Sequence, residues 1–439
     1  MNNKAFSYIL LFCSSILFSQ DFSLLTSIDN VRGAQSVIAA DIDFDGDLDI
    51  ISVSSLDDTI AWYKNDGNSV PSFTKSVIST STDHPSSVYA EDMDGDGDLD
   101  LVVASVADDS ITWFENDGSS TPTFSLSTIT TSADGTSFVW VADVNGDGNM
   151  DILSADYEDD TIAWYKNDGN SNPNFTKEDL STNMDGATSV STADIDNDGD
   201  LDIIATSARS GILKLYENDG AISPSFTQST IATFFQGYKN HYLSDVDKDG
   251  DIDIIFASES GDTVGWYEND GTANPSFTYN VIATNADGAY RVRAADIDRD
   301  GDLDIVSASA GDDTITTYIN NGAADPSFSK VDIFTNADFA DSVFTADMNG
   351  DGDLDILSTS YIDNKIRYFE NNLPPAFSQF PIINTVSTSA DGTSFVWVAD
   401  VNGDGNMDIL SADYEDDTIA WYKNDGNSNP NFTKEDLST

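Results

Sequence analysis

The sequence predicts an all-β chain folded as a β-propeller, with four strands per blade and a curled acidic loop between the first and second strands. Three observations predict it: a fixed repeat period, four strand-like segments inside each period, and an N-terminal segment resembling a lone fourth strand. Asp41, Asp92, Asp143, Asp194, Asp245, Asp296 and Asp347 are each 51 residues apart, and the eighth equivalent, Asp400, follows after 53. A fixed period of this length marks a solenoid, a propeller or an array.

The strand pattern separates these. In the second repeat, Ser87-Val88-Tyr89-Ala90 reads as a short strand that enters the acidic loop. Leu99 to Ser105 and Ile111 to Glu115 follow as the second and third strands. Asn116-Asp117-Gly118 is a turn signal, and Phe124 to Thr130 supplies the fourth strand. Four short strands without a helical period match one propeller blade. Residues 21–28 (DFSLLTSI) resemble a fourth strand lacking its first three, which would complete the last blade and remove a free edge.

Residues 1–20 read as an export signal: Lys4 gives a positive start, Ala5 to Phe18 an apolar run, and Ser19-Gln20 the exit to a polar chain. The run is short for a membrane span, and no other stretch could cross a bilayer. Cys13, the single cysteine, lies inside it. A lipid-anchored reading of Cys13 is disfavoured by the bulky Phe12 and by its early position. Residues 21–372 then form a seven-repeat ring. Residues 373–439 hold an eighth repeat, entered through Asn371-Asn372-Leu373-Pro374-Pro375 in place of the usual Asn-Asp-Gly turn. Its residues 388–439 copy 131–182 without a change, which no packing requirement demands. Seven blades are expected, with an eight-bladed ring as the alternative.

Each repeat carries D-x-[DN]-x-D-G-[DN]-x-D. The candidate ligands are Asp41, Asp43, Asp45, Asp47 and Asp49 in the first loop, and Asp92, Asp94, Asp96, Asp98 and Asp100 in the second. The third has Asp143, Asn145, Asp147, Asn149 and Asp151; the fourth has Asp194, Asp196, Asp198, Asp200 and Asp202. Asp245, Asp247, Asp249, Asp251 and Asp253 form the fifth, and Asp296, Asp298, Asp300, Asp302 and Asp304 the sixth. The seventh is Asp347, Asn349, Asp351, Asp353 and Asp355, and the eighth Asp400, Asn402, Asp404, Asn406 and Asp408. Alternating carboxylates at positions 1, 3 and 5 converge when the backbone curls, and glycine at position 6 allows the turn. Such an oxygen set suits Ca²⁺, a hard cation with six to eight oxygen ligands, and up to eight ions are expected. The carbonyl at position 7 and the aspartate at position 9 would complete each site. A helical calcium hand is excluded, since residues such as Ser52 and Val103 stand where its twelfth-position Glu belongs. A metal-free acidic turn is the competing reading of any one loop.

The net charge of −60 speaks against nucleic acid and anionic membranes as partners. The eight loops hold 35 of the 78 acidic residues, so a bound cation would relieve much of the repulsion.

These loops resemble those of the FG-GAP/VCBS family of integrin-like propellers. The Phe after a proline-containing turn, as in Pro71-Ser72-Phe73, Pro122-Thr123-Phe124 and Pro275-Ser276-Phe277, resembles bacterial members. The resemblance implies a seven-bladed ring, calcium in the blade loops, and adhesion or ligand binding at a cell surface.

The strand entering each loop has valine four residues before the first aspartate in seven repeats and His241 in the fifth. Three residues before it, the chain varies: Ile38, Tyr89, Trp140, Ser191, Tyr242, Arg293, Phe344 and Trp397. Tyr89, Trp140, Tyr242, Arg293 and Phe344, with Arg291 on the same face, could stack on a sugar or grip an acidic ligand, against the plainer reading of inter-blade packing. Trp62, Trp113, Trp164, Trp266 and Trp421 read as blade core. The histidines, His84 and His241, lie in no nucleophile motif. The sequence therefore points to a secreted or cell-surface, calcium-binding, non-catalytic scaffold, expected to be a monomer with a protein or glycan partner. A lectin and a calcium-dependent polysaccharide-degrading enzyme are the alternatives.

Overall fold

The computed structural model describes residues 22–233 and 237–372, together with strands Thr393–Ala399, Asp408–Asp413, Thr418–Asn424 and Phe432–Ser438. The N-terminal export segment and residues 400–407 of the eighth loop lie outside the described residues.

The first blade shows how the repeat builds a sheet. After β1 (Phe22–Asp29), strands β2 (Ala34–Ala40), β3 (Asp49–Ser54), β4 (Thr59–Asn65) and β5 (Phe73–Ser79) pair antiparallel in the order β2-β3-β4-β5. Burial falls outward. All six residues of β3 are buried, whereas β5 exposes Thr74, Lys75, Ser76 and Val77. This gradient explains the sequence pattern: a strand covered on both faces runs apolar and small, and an edge strand turns polar.

The repeat forms six such sheets. Strands Ala340–Ala346, Asp355–Ser360 and Lys365–Asn371 form a seventh, completed by β1, which pairs from Phe22↔Asn371 to Asp29↔Lys365 with a bulge between Leu24 and Thr26. The ring is therefore a seven-bladed propeller closed by its own N-terminal strand. Val37, Ile50 and Tyr63 of the first blade pack in one buried cluster with Met348, Leu357 and Tyr368 of the last. Residues 374–439 form a separate compact unit, whose four strands make one further sheet. The eight-bladed alternative is not adopted. In the second blade the first strand, Pro85–Glu91, is longer at both ends than its hydrophobic pattern indicated, and it carries a bulge between Pro85 and Ser87. No helix among the described residues is long and apolar enough to cross a membrane.

Two sets of polar latches join neighbouring blades. The asparagine ending each third strand donates its Nδ2–H to the position-2 carbonyl of the preceding loop. These bonds, Asn65 to Met348, Asn116 to Ile42, Asn167 to Met93, Asn218 to Val144, Asn269 to Ile195, Asn320 to Val246 and Asn371 to Ile297, span 2.8–3.3 Å. A second latch joins the turn between second and third strands to the entry of the next blade. Oδ1 of Asp58, Asp109, Asp160, Asp262, Asp313 and Asn364 accepts a backbone N–H there at 2.9–3.2 Å. These six side chains sit at positive φ, a conformation that Asp and Asn tolerate better than most residues.

Candidate metal loops and central cavity

In all seven loops of the ring the position-1 carboxylate accepts the N–H of the position-6 glycine, at 2.8–3.1 Å. The position-5 carboxylate accepts the N–H of position 7, at 2.8–3.2 Å. The glycine is required for its backbone: φ is +96° at Gly46 and +100° at Gly199, and open space surrounds both. Position 4 is also left-handed in each of the seven ring loops, even where it is Phe44 (φ +57°). The chain thus curls tightly enough to aim carboxylates inward.

Asp41, Asp43 and Asp45 bring one oxygen each within 4.8 Å of one another, as do Asp92, Asp94 and Asp96, and Asp245, Asp247 and Asp249. Asp194 and Asp196 do so with Asp202, the position-9 residue. Several inward oxygens lack a donor: Asp43 Oδ1, Asn145 Oδ1, Asp245 Oδ1 and Asp296 Oδ1 are buried without a hydrogen-bond partner. Orphaned acceptors of this kind are costly and fit a hard cation. Burial first, and then neighbouring carboxylates, hold Asp94, Asp196 and Asp247 above the ordinary carboxylate range, and Asp298 is pushed up to about 6.

Position 9 is more deeply built in than its spacing indicated. Asp49, Asp100, Asp151, Asp202, Asp253, Asp304 and Asp355 open the second strands, fully or almost fully buried. Their Oδ1 atoms accept the N–H of the latch asparagines at 2.8–2.9 Å. Oδ2 accepts from Trp62 Nε1 at Asp49, from Trp164 Nε1 at Asp151, and from the position-2 N–H at Asp202 and Asp253. Burial raises these carboxyls to about 6 at Asp49, 7 at Asp100 and 8 at Asp253. The described third-strand tryptophans are core, and two of them also brace a loop.

A strand-borne charged residue facing six of the seven ring loops escaped the sequence reading. Lys64 Nζ contacts Asp43 and lies 2.8 Å from Asp45, and Lys166 Nζ lies 3.5 Å from Asp147. At the matching register Glu370 accepts from Asn349 at 3.2 Å, and Glu115, Glu217 and Glu268 add negative potential to their loops. Position 4 also reaches the next loop: Lys248 pairs with Asp302, Arg299 with Asp353, and Asn197 Nδ2 donates to Asp251 at 2.7 Å.

The innermost strands enclose a cavity of about 520 Å³ that reaches the loop end of the ring, where Asp41, Leu48 and Leu99 line it. Tyr89, Trp140, Tyr242, Arg291, Arg293 and Phe344 all line this one space. The packing reading holds in part: Tyr89 and Trp140 meet edge to face at 5.2 Å between adjacent blades. Arg293 lies 3.8 Å from the Phe344 ring and 5.4 Å from Tyr242, and Arg291 reaches across to Phe138 at 5.3 Å. Phe138 was not anticipated, because only the closed ring brings the third and sixth blades face to face. The ring also joins Ser191 to His241 at 2.7 Å. Burial pushes this imidazole down to about 3, and its Nδ1 faces Thr206 at 3.4 Å.

A family profile described as FG-GAP-like repeat matches residues 41–103, 92–154, 143–205, 245–307, 306–358 and 347–411. No curated protein matches the sequence. Among solved structures, BBS1N in complex with ARL6DN is similar with a TM-score of 0.53 at 12% identity, covering 81% of this chain and 98% of that one. A protein from Lactobacillus plantarum gives 0.49 at 16% identity, covering 72% and 93%. The rhamnogalacturonan lyase YesW gives 0.46 at 14%, covering 78% and 72%. At 12% identity the likeness to BBS1N is one of fold. The matched segments span most of the chain and coincide with its loops and blades, so the chain belongs to the FG-GAP-like repeat family.

Proposed function

We propose that the protein is a secreted or cell-surface, non-catalytic binding scaffold whose seven ring loops each hold Ca²⁺, with an eighth ion in the C-terminal repeat. The observation that carries this is the convergence of inward carboxylates with orphaned oxygens in the ring loops. Positions 1, 3 and 5 supply the first ligands. The position-9 carboxylate, already fixed by the latch asparagine, presents its remaining lone pairs. Calcium at these loops ties the first and second strands of each blade together and rigidifies the end of the ring where the cavity opens.

The histidines support a non-catalytic reading. An imidazole with its pKa near 3 is too weak a base to take the Ser191 proton. His84 is exposed beside Asp83, at 2.9 Å. BBS1N shows that a propeller of this general fold is found with a protein partner, which agrees with a binding role without naming a ligand.

Calorimetric titration and thermal unfolding of the full chain test the calcium reading. A site with Kd of about 0.1 mM contributes roughly 1.4 kcal/mol at ~1 mM calcium. Several such sites should raise Tm by more than about 10 °C over a chelated sample. An unchanged Tm after complete calcium removal, with no heat on titration, would refute the proposal.

A further inference from the structure

The chain has 78 acidic and 18 basic side chains, so a cation has no shortage of carboxylates to meet. Lys64, Lys166, Lys177, Arg209, Lys239, Lys248, Arg299, Lys330, Lys365 and Arg367 each lie within ion-pair distance of one. Arg291 and Arg293 do not, a trait shared with Arg32, Lys75 and Lys214, but these two arginines are half-buried side by side in the wall of the central cavity. Their Nε atoms are buried without any hydrogen-bond partner. Arg291 feels one acid, Asp341 in the next blade, which is itself buried and shared with Lys239. Two neighbouring arginines on aromatic faces with one shared acid between them are expensive to maintain. They make sense where a ligand brings the missing negative charge.

The rest of the wall describes that ligand. Trp140, Tyr89, Tyr242 and Phe344 offer apolar ring surface, and Ser36, Ser87, Ser189 and Ser342 recur at one register with small hydroxyls. A volume of about 520 Å³ is in the range of small-molecule sites. We propose that this cavity binds an acidic sugar, a uronic acid or a short oligosaccharide carrying one, with Arg291 and Arg293 taking the carboxylate and the aromatic residues stacking on the ring. The planar guanidinium fork matches a carboxylate through paired N–H donors, and the cation–π contacts already present pre-set the forks. This rests on the scaffold reading of the ring and is independent of how many loops hold calcium.

The test titrates the calcium-saturated full chain with galacturonic acid, digalacturonic acid, galactose, inorganic sulfate and inorganic phosphate. Binding is read by calorimetry and by tryptophan fluorescence. Digalacturonic acid should bind at least tenfold more tightly than galactose. Arg293→Gln should weaken it by tenfold or more, and Arg209→Gln, on the exposed surface, should not. Arg293→Lys keeps the charge but loses the fork, and should fall between wild type and Arg293→Gln; it also serves if Arg293→Gln fails to fold. Equal binding of galactose, tighter binding of sulfate or phosphate, no binding of digalacturonic acid, or an unchanged affinity in both Arg293 variants would overturn the proposal. A chain that keeps its calcium-dependent Tm and binds a neutral glycan or a protein retains the scaffold role and loses only this site.

Discussion

At the residue scale, the asparagine closing each third strand has two jobs. Its sequence context, Asn-Asp-Gly in most repeats, announces a turn, and the turn is there. Its buried side chain, however, joins two blades: Asn116 Nδ2 donates to Ile42 O at 3.1 Å and Leu99 O at 3.0 Å, while its N–H meets Asp100 at 2.8 Å. Asn116→Ala removes both side-chain donors and leaves buried carbonyls unsatisfied. It should cost about 1–3 kcal/mol in chemical denaturation. A loss below about 0.5 kcal/mol would show that water replaces the latch. No single repeat reveals this role, because the acceptor Ile42 lies 74 residues away.

At the element scale, β1 decides whether the ring is closed. Without it the strand Lys365–Asn371 presents an open edge, and Leu25 and Ile28 lose the cluster they pack against. Deleting residues 22–29 should lower Tm and yield aggregates visible by light scattering, and a peptide of those residues should restore both. A deleted chain that stays monodisperse with its original Tm would contradict this. The fourth-strand character of this segment was legible from its resemblance to the other fourth strands and from the absence of the first three before it. The outer strands Phe73–Ser79 and Phe124–Thr130 were equally legible, since the Phe after the turn fixes their start. The innermost strands were less so. Ser36 and Ser87 are polar yet buried, and their hydroxyl-rich stretches do not look like strand interior.

At the scale of the whole molecule, the buried position-9 aspartates link stability to pH. Their folded pKa values, about 6 at Asp49, 7 at Asp355 and 8 at Asp253, lie above the unfolded value near 4. Between these limits the folded chain binds more protons than the unfolded one. The stability they contribute is therefore complete below about pH 4 and is lost as pH rises through 6 to 8. In chelator, Tm should be higher at pH 5.5 than at pH 8.5, whereas saturating calcium should narrow the gap by favouring the charged carboxylates. A chelated Tm that rises from pH 5.5 to pH 8.5 would contradict this assignment. The sequence by itself determined the propeller, its four-stranded blades, the N-terminal closing strand and the candidate calcium residues, because these depend on local alternation, turn chemistry and a fixed period. Only the tertiary structure decided that the ring closes at seven blades, that loops are latched across blades, and that Arg291 faces Phe138 across a cavity. Those contacts join residues from different repeats, and their partners are set by ring geometry rather than by spacing along the chain.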